Sequence, residues 1–484
     1  MEGNPAVQYV RHGGAVLAVL EGRSLKHWTL TRPDGAVIGR VTGGGGRRYY
    51  VTDHLGSVRA VVDGGGTVRE ARNYYPFAVL MADDDGFSDR GDSSSDVSPL
   101  ANLDLWLLFA VTLVGVGNVS SVSPAFPQVV GVFGISRVQV GWVVTAYSLP
   151  GILSAPLAGI GADRLGRKRV LVPTLFVFGL AGGACALARS FPVLIGLRTV
   201  QGFAAAPLVG LAVTIIGDRY DGTDRATAVG YNATALNVGT AAYPAVGGAL
   251  AAIAWYVPFA LPLLALPVGT AVAWKLEAPA VDDGASAEGF QEYLTNVGGR
   301  LRDRRVFGLL AVNFGIFVLI FGAFLTYVPE LLDTRFGASS VAAGVVLAAA
   351  SVSSALVATQ IGRLATWIAP RRLIQGSLVI DGVALALMPL APGVWGVGAA
   401  SLLYGVAQGL NQPALQTRLT ELSSDASRGV ILSLNGTILR LGQAVGPLLL
   451  GLGLAVGGIG TVFYAAGGLA LLVGVGAVLL LASG

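Results

Sequence analysis

The 484-residue chain has few charged residues, few histidines and a single cysteine. Charged side chains make up 12% of it, against about 25% in soluble proteins, which argues against a water-soluble globular protein. Cys185 has no second cysteine to pair with, so disulfide bonds and cysteine metal sites are excluded. All three histidines precede residue 55, so the rest of the chain has none to ligate a metal or relay a proton. We expect neither an enzyme nor a bound cofactor.

Hydrophobic residues, by contrast, make up 53% of the chain and occur in long runs. A helix that spans a bilayer needs about 20 mostly apolar residues. Twelve such runs follow residue 100, at 103–125, 138–158, 170–188, 192–216, 226–252, 257–275, 306–328, 339–361, 373–391, 396–417, 429–452 and 461–481. The pattern predicts an all-α membrane protein with twelve transmembrane helices in the lipid bilayer.

Polar stretches divide the chain into five regions. Residues 1–80 combine short strand patterns with turn signals, and residues 81–99 are rich in aspartate and serine, which is typical of a disordered linker. Two six-helix bundles follow, 100–275 and 306–484, separated by the charged linker 276–305. The predicted fold is therefore two helical bundles preceded by a small β-hairpin-rich segment.

Lysine and arginine are unevenly distributed in the helical part. Sixteen of 21 lie in loops on the side of both termini, and three, Arg137, Arg189 and Arg335, lie in loops on the other side. Because loops rich in these residues stay in the cytoplasm, we expect cytoplasmic termini and an inner-membrane location. The basic charge is thus explained without a nucleic-acid partner. Glu330 and Asp333 lie near the outer side, where we expect water to solvate them.

The two bundles repeat a pattern of small residues. Gly239 and Pro244 are matched 203 residues later by Gly442 and Pro447. Tandem six-helix repeats are typical of transporters in which two bundles rock about a site near the middle of the membrane.

The loop between the second and third predicted helices carries a dense charge motif. It reads G-x-x-x-D-R-x-G-R-K, with Gly159, Asp163, Arg164, Gly166, Arg167 and Lys168. On this motif, residues 100–484 resemble the major facilitator superfamily, which implies a two-bundle transporter fold. The resemblance also implies a conformational latch, meaning contacts that hold one state closed. In it, Asp163 meets the helix start at Arg428–Val430, and Arg167 pairs with Asp218.

Predicted helices 4 and 5 resemble two further motifs of this superfamily. Arg198 in helix 4 matches an arginine linked to proton coupling, although its side chain could instead extend to the membrane edge. Helix 5 is similar to the antiporter motif of drug:proton exporters. The residues concerned are Gly230, Gly239, Pro244, Gly247 and Gly248, with Gly446 and Pro447 as the related pair in helix 11. A glycine normally precedes the proline, and Tyr243 takes that place here.

Acids within predicted helices are candidates for proton coupling, because a membrane-embedded charge is costly and usually functional. Asp104 begins helix 1, where it resembles an acid of twelve-helix drug exporters or anchors the helix at the membrane edge. Asp381 lies near the middle of helix 9. Arg198 or Arg440 would be the counter-ion of the coupling acid.

Residues 8–77 resemble a different family. The stretch YYVTDHLGSVR from Tyr49 to Arg59, followed by YYPF at 74–77, closely resembles the RHS repeat-associated core. In that family many hairpins build a shell around a toxin, and one fragment is too small for this. We expect a gene-fusion remnant without a transport role, with a regulatory β-domain as the alternative.

These patterns favour a monomeric secondary transporter, a multidrug-type antiporter that exchanges protons for small amphipathic or drug-like compounds by alternating access. A facilitator or exporter of one solute, such as a sugar or metabolite, is the first alternative. An RHS-type toxin or surface protein is the second, and it is disfavoured because four-fifths of the chain is membrane sequence.

Overall fold

A computed structural model of the chain separates into two compact units, Met1–Asp96 and Val97–Gly484. In the first unit the structure describes the backbone of the strands. In the second it describes residues 102–220, 222–277, 303–422 and 428–481, except the side chains of 223, 428–430, 432, 433 and 479–481. The predicted linker 81–99 and most of the predicted linker 276–305 lie outside the described residues.

The strands of the first unit pair with their neighbours along the chain. Seven form an antiparallel sheet in chain order, and two more form a separate pair. They are β1 (Val7–His12), β2 (Ala15–Glu21), β3 (Ser24–Thr31), β4 (Val37–Thr42), β5 (Arg47–Thr52), β6 (Val58–Asp63), β7 (Val68–Ala71), β8 (Tyr74–Tyr75) and β9 (Val79–Leu80). Whether this unit is a fragment of an RHS core stays a prediction.

The described residues of the second unit form helices joined by short turns and loops. Its N-terminal half contains α1 (Leu103–Val116), α2 (Asn118–Val122), α3 (Phe126–Phe133), α4 (Gly141–Ser148), α5 (Gly151–Leu165), α6 (Arg167–Cys185), α7 (Phe191–Ala205), α8 (Leu208–Arg219), α9 (Gly222–Ile253), α10 (Val257–Ala260) and α11 (Ala265–Lys275). Its C-terminal half contains α12 (Arg304–Val318), α13 (Thr326–Phe336), α14 (Ser340–Ala358), α15 (Ile361–Trp367), α16 (Pro370–Leu387), α17 (Val394–Glu421), α18 (Arg428–Gly457) and α19 (Ile459–Leu481).

Ten helical segments among the described residues are long and apolar enough to cross a membrane, and the bent pair formed by α1 and Asn118–Phe133 makes up to eleven. The predicted span 396–417 coincides with α17, a helix of 28 residues. Gln408 and Asn411 interrupt its apolar sequence, so it is less hydrophobic than the others. The count of twelve transmembrane helices stays a prediction.

Several predicted helices are interrupted, among them helices 1, 4 and 7. Helix 1 bends by 50° at Gly117, between α1 and α2. Helix 4 is broken between α7 and α8, where Pro207 lacks the N–H that a continuous helix needs. Helix 7 passes through a π-helical stretch, Leu319–Leu325, between α12 and α13. Such interruptions expose backbone carbonyls to side chains and often occur at functional sites.

Buried apolar side chains form three clusters. One lies within the N-terminal half and includes Leu105 and Ala162, and one lies within the C-terminal half and includes Val306. The third contains residues of both halves, among them Phe126 and Tyr327. The shared cluster lies where α3 and α13 end, which we call the Arg137 end. The separate clusters lie where α5 ends and α12 begins, which we call the Asp163 end. The halves therefore share a core at the Arg137 end.

Candidate functional site

The Arg137 end is closed by charged groups from both halves. Arg137, which precedes α4, donates to Glu330 Oε2 at 2.6 Å and to Asp333 Oδ2 at 3.1 Å, both on α13. It also donates to Thr334 Oγ1 at 2.6 Å. Glu330 is fully buried. The expectation that water solvates Glu330 is therefore wrong, because an arginine 193 residues away supplies its counter-charge.

Two glycine–proline contacts join the halves closer to the middle of the helices. A Cβ atom on Gly344 of α14 would lie 2.5 Å from the Pro244 carbonyl oxygen of α9. A Cβ atom on Gly141 of α4 would lie 3.2 Å from the Pro447 carbonyl oxygen of α18. The two glycines are 203 residues apart, and so are the two prolines. The sequence repeat is thus a repeat of contacts, in which a missing side chain lets two helices approach closely.

The hydrogen bonds between α18 and the N-terminal half end near the middle of α18. Thr145 Oγ1 donates to the Ala444 carbonyl at 2.6 Å, and Arg440 Nη2 donates to the Ala206 carbonyl at 2.8 Å, at the break between α7 and α8. We call the position of Arg440 and Ala206 the apex. Ser123, Arg137, Thr145 and Arg440 make side-chain hydrogen bonds to the other half, and these bonds lie at the apex or toward the Arg137 end.

Arg198 is fully buried inside the N-terminal half, so the alternative that its side chain extends to the membrane edge is wrong. It donates to the Val143 carbonyl at 3.3 Å, to Gln201 Oε1 at 3.0 Å and to Asn118 Oδ1. Its guanidinium lies 4.6 Å from the centre of the Tyr147 ring. All of these partners are neutral, and Nη2 has no hydrogen-bond partner among the described residues. Dipoles and an aromatic ring hold this buried charge.

Asp381 is fully buried inside the C-terminal half, on α16. Two amides of α17 donate to it, Gln408 Nε2 at 3.2 Å and Asn411 Nδ2 at 3.3 Å. No cation pairs with Asp381 within the described residues, so neither Arg198 nor Arg440 is its counter-ion in this structure. A buried carboxylate without a cation is strongly destabilised in its charged form.

Asp104 lies in the first turn of α1, at the Asp163 end, and pairs with Arg219 at the end of α8. Asn102 caps α1 by accepting a hydrogen bond from the Asp104 N–H at 3.0 Å. Beside this pair, burial raises the pKa of the Tyr220 hydroxyl above its usual value. The position matches the alternative of an anchor at the membrane edge, at the other end of the unit from Arg137.

The charge motif of the second loop forms a tight turn between α5 and α6. Gly166 makes this turn with a φ of +95°, a conformation that a residue with a Cβ atom rarely adopts. Arg167 pairs with Asp218, as the resemblance implies, and donates to the Thr214 carbonyl at 3.0 Å. Asp163 is exposed and forms no hydrogen bond or ion pair with a described residue. The side chains of its expected partners, Arg428–Val430, lie outside the described residues.

The glycines of the antiporter-like motif mark close helix crossings. A Cβ atom on Gly247 would overlap the Ser121 backbone of α2. One on Gly248 would lie 2.5 Å from the Ser340 carbonyl of α14, and one on Gly239 would touch the side chains of α1. The motif therefore packs α9 against the bent first helix and against the other half.

The remaining motif residues have fewer contacts. Gly446 packs against the backbone of α12, and the Gly230 carbonyl accepts a side-chain hydrogen bond from within α9. The space around Gly159 is open, Arg164 is exposed and Lys168 is half-buried. Among the described residues, Arg164 and Lys168 have no side-chain hydrogen bond or ion pair.

Tyr243, in the place of the expected motif glycine, fills the bend of the first helix. Its ring occupies the space where a Cβ atom on Gly117 would lie, and its hydroxyl donates to the Leu113 carbonyl at 2.7 Å. Tyr243 takes the place of the motif glycine, and Gly117 on the facing helix provides the space for its ring.

Two buried polar pairs, one in each half, are not predicted by the motifs above. Thr112 Oγ1 donates to Asn232 Oδ1 at 2.7 Å between α1 and α9. Asn313 Nδ2 donates to Asn435 Oδ1 at 2.7 Å between α12 and α18. The two acceptor residues are 203 apart, so the repeat offset was the signal that could have found them.

Among the described residues, no group of three or more histidine, cysteine, aspartate or glutamate side chains is placed to hold a metal ion. The chemistry of the site consists of buried charges, hydrogen bonds and a two-part interface. The profile of the Major Facilitator Superfamily matches residues 108–380 and 329–483. The chain belongs to the Major Facilitator Superfamily. It is a multi-pass membrane transporter of small molecules.

Proteins similar to this chain include a bacterial exporter and a bacterial resistance protein. The bacillibactin exporter of Bacillus subtilis (strain 168) is 27% identical over 360 residues, which cover 70% of this chain and 87% of that protein. The quinolone resistance protein NorA of Staphylococcus aureus (strain MRSA252) is 23% identical over 354 residues, 71% of this chain and 88% of NorA. A mutant of the nucleoside transporter NupG matches with a TM-score of 0.67 at 14% identity, over 78% of this chain and 99% of its own. That likeness shows the fold alone.

Proposed function

We propose that the protein exports small amphipathic or drug-like compounds from the cytoplasm, in exchange for protons, by alternating access. Two relatives support export as the direction, since one is named an exporter and the other a resistance protein. The proposal assigns the two halves the role of rigid bodies that rock about the apex.

One observation carries the proposal, namely the one-sided contact between the halves. They share a hydrophobic core, an ion-pair cluster and two glycine–proline contacts at the Arg137 end, and they have separate cores at the Asp163 end. The loops rich in lysine and arginine lie at the Asp163 end, and by the positive-inside rule this supports a cytoplasmic location for that end. A transporter that is open to the cytoplasm is in the state that takes up an exported substrate.

We assign the coupling proton to Asp381. Its carboxyl group has two amide donors and no described cation, so binding a proton removes an otherwise uncompensated buried charge. The two other buried acids have cations, because Asp104 pairs with Arg219 and Glu330 with Arg137.

An efflux and susceptibility panel in a pump-deficient bacterium tests the function. We expect the protein to lower the accumulation of some panel dyes and an uncoupler to abolish this effect. Asp381→Asn should lose uphill export but keep downhill exchange, and Asp104→Asn, the matched control, should keep uphill export. Export that is insensitive to the uncoupler, or full uphill export by Asp381→Asn, would contradict proton coupling through Asp381.

Orientation and the role of the first unit are tested separately. A reporter that is active only in the cytoplasm should be active when fused after Gly484 and inactive when inserted at Gly337. Activity at Gly337 would contradict the orientation. A chain that starts at Asp96 keeps every transporter motif and should transport as well as the full chain. Loss of transport with intact membrane insertion would instead assign a role to the first unit.

A further inference from the structure

Arg440 lies at the apex with most of its hydrogen-bonding capacity unused. It is partly exposed, and its hydrogen bond within the described residues goes to the neutral Ala206 carbonyl. An arginine has five N–H donors, so several are left. Gly151 of α5 leaves the space for its Nη1, because a Cβ atom there would lie 2.6 Å from that nitrogen. The helix packing therefore holds the guanidinium at the end of the interface between the halves.

A second cation lies behind the apex. The Arg198 guanidinium lies 4.6 Å from the ring centre of Tyr147, and Arg198 is on α7, the helix that ends just before Ala206, the partner of Arg440. Arg198 Nη2 and Gln201 Nε2 are buried donors without a hydrogen-bond partner among the described residues. Unused donors on a buried cation and its neighbour favour a negatively charged or strongly accepting ligand in this region.

The acids in the described helices do not neutralise this region. Asp104 pairs with Arg219 at the Asp163 end, and Glu330 pairs with Arg137 at the opposite end. Asp381 is held by amides of α17 inside the C-terminal half. The apex therefore carries net positive charge in a low-dielectric environment, where charge acts strongly on a ligand.

We propose that Arg440 recognises the substrate, and that the substrates are amphipathic anions with a carboxylate, sulfonate or phenolate group beside an apolar body. This proposal rests on the export function above and names its substrate class. A guanidinium binds such oxygens through two parallel hydrogen bonds. The anion would also replace the Ala206 carbonyl as the partner of Arg440. Substrate binding thus removes one of the contacts that join the halves, which links recognition to rocking.

Two xanthene dyes of opposite charge test the proposal. Uptake of carboxyfluorescein, an anion, and rhodamine 123, a cation, is measured in energised inside-out vesicles that contain the full chain. We expect uptake of carboxyfluorescein and not of rhodamine 123. Arg440→Gln should lower carboxyfluorescein uptake about tenfold or more, the scale of a lost hydrogen bond to a charged group. Arg440→Lys keeps the charge without the paired donors and should retain intermediate uptake.

Arg335→Gln is the matched control, because Arg335 also donates to a backbone carbonyl, that of Pro389, but lies at the Arg137 end. It should transport like the unmodified protein. Uptake of rhodamine 123 alone would overturn the anion assignment and leave the export proposal intact. If the unmodified protein takes up both dyes and Arg440→Gln lowers the uptake of both equally, the anion assignment is also overturned. Arg440 would then support the fold and not recognise the anion.

Absence of uptake of both dyes would count against the export proposal and not against the anion site. Equilibrium dialysis of carboxyfluorescein with the purified full chain then tests whether Arg440 forms an anion site. Binding that Arg440→Gln weakens about tenfold or more would support the anion site. Absence of binding to the unmodified protein would overturn it.

Discussion

Glu330 of the C-terminal half is fully buried, and Arg137 of the N-terminal half holds its carboxylate at 2.6 Å. The two partners are unequal, because the Arg137 side chain is 35% exposed and also contacts Asp333. The pair joins the halves across a chain separation of 193 residues, so it must break whenever the Arg137 end opens.

Because Glu330 is buried and Arg137 is partly exposed, we expect neutral variants of the two residues to lower the stability by different amounts. Arg137→Gln leaves a buried carboxylate without a cation and should destabilise the protein by about 3 kcal/mol. Glu330→Gln leaves an arginine in contact with water and Asp333 and should cost about 1 kcal/mol or less. Thermal unfolding of the purified protein in detergent measures the difference, with Arg335→Gln as control. Equal shifts for the two variants would contradict the assigned burial of Glu330.

The turn in the charge motif makes a second prediction. Gly166→Ala forces a side chain into a backbone conformation with φ of +95° and should cost about 1–3 kcal/mol. Gly159→Ala is the matched control, because Gly159 lies inside α5 with open space around it and alanine favours a helix by roughly 0.5–1 kcal/mol. The two variants should therefore shift the unfolding temperature in opposite directions. A shift in the same direction would argue against the turn geometry.

Gly117 and Tyr243 should be coupled in a double-mutant cycle. Gly117→Ala alone places a methyl group on the Tyr243 ring, and Tyr243→Ala alone leaves a cavity. The double variant relieves the overlap and partly fills the cavity, so its loss of stability should be smaller than the sum by about 1 kcal/mol or more. Additive effects would show that the two positions do not compensate each other.

Asp163→Asn should reduce transport while expression and thermal stability stay normal. Asp163 is exposed in this structure, so the charge contributes little to this state. We expect its latch with the start of α18 to form in the opposite state, where a helix N-terminus favours a negative charge by about 0.3–1 kcal/mol. Dye efflux and unfolding temperature are compared for the two proteins. Unimpaired efflux by the variant would exclude the latch.

The apolar runs predict where most helices lie, because membrane insertion depends on local composition. Span 138–158 covers α4 and much of α5, and span 339–361 covers α14. The burial of Arg198 and the depth of Asp381 are among the predicted alternatives, since both lie within apolar segments and Asp381 lies near the middle of its segment. The pairing of Arg167 with Asp218 was also available from the superfamily resemblance.

Contacts between distant segments were not predictable from local pattern. Glu330 follows a proline near a helix end, which suggests solvent, and its burial depends on Arg137 of the other half. The role of Arg440 at the apex depends likewise on a carbonyl released at a helix break. The amides around Asp381 lie on a neighbouring helix about 30 residues away, and no spacing rule links them to an acid.

We propose that the transporter exchanges protons for an exported compound and that Asp381 carries the proton. The most direct test uses the full chain reconstituted in vesicles with a trapped pH indicator and no membrane potential. A gradient of a dye that the cell panel shows to be exported is imposed across the vesicle membrane. We predict dye-dependent proton movement in the opposite direction for the unmodified protein, and none above background for Asp381→Asn, although dye exchange persists in that variant. Dye transport by the unmodified protein without proton movement, or unchanged proton movement in Asp381→Asn, would contradict the claim.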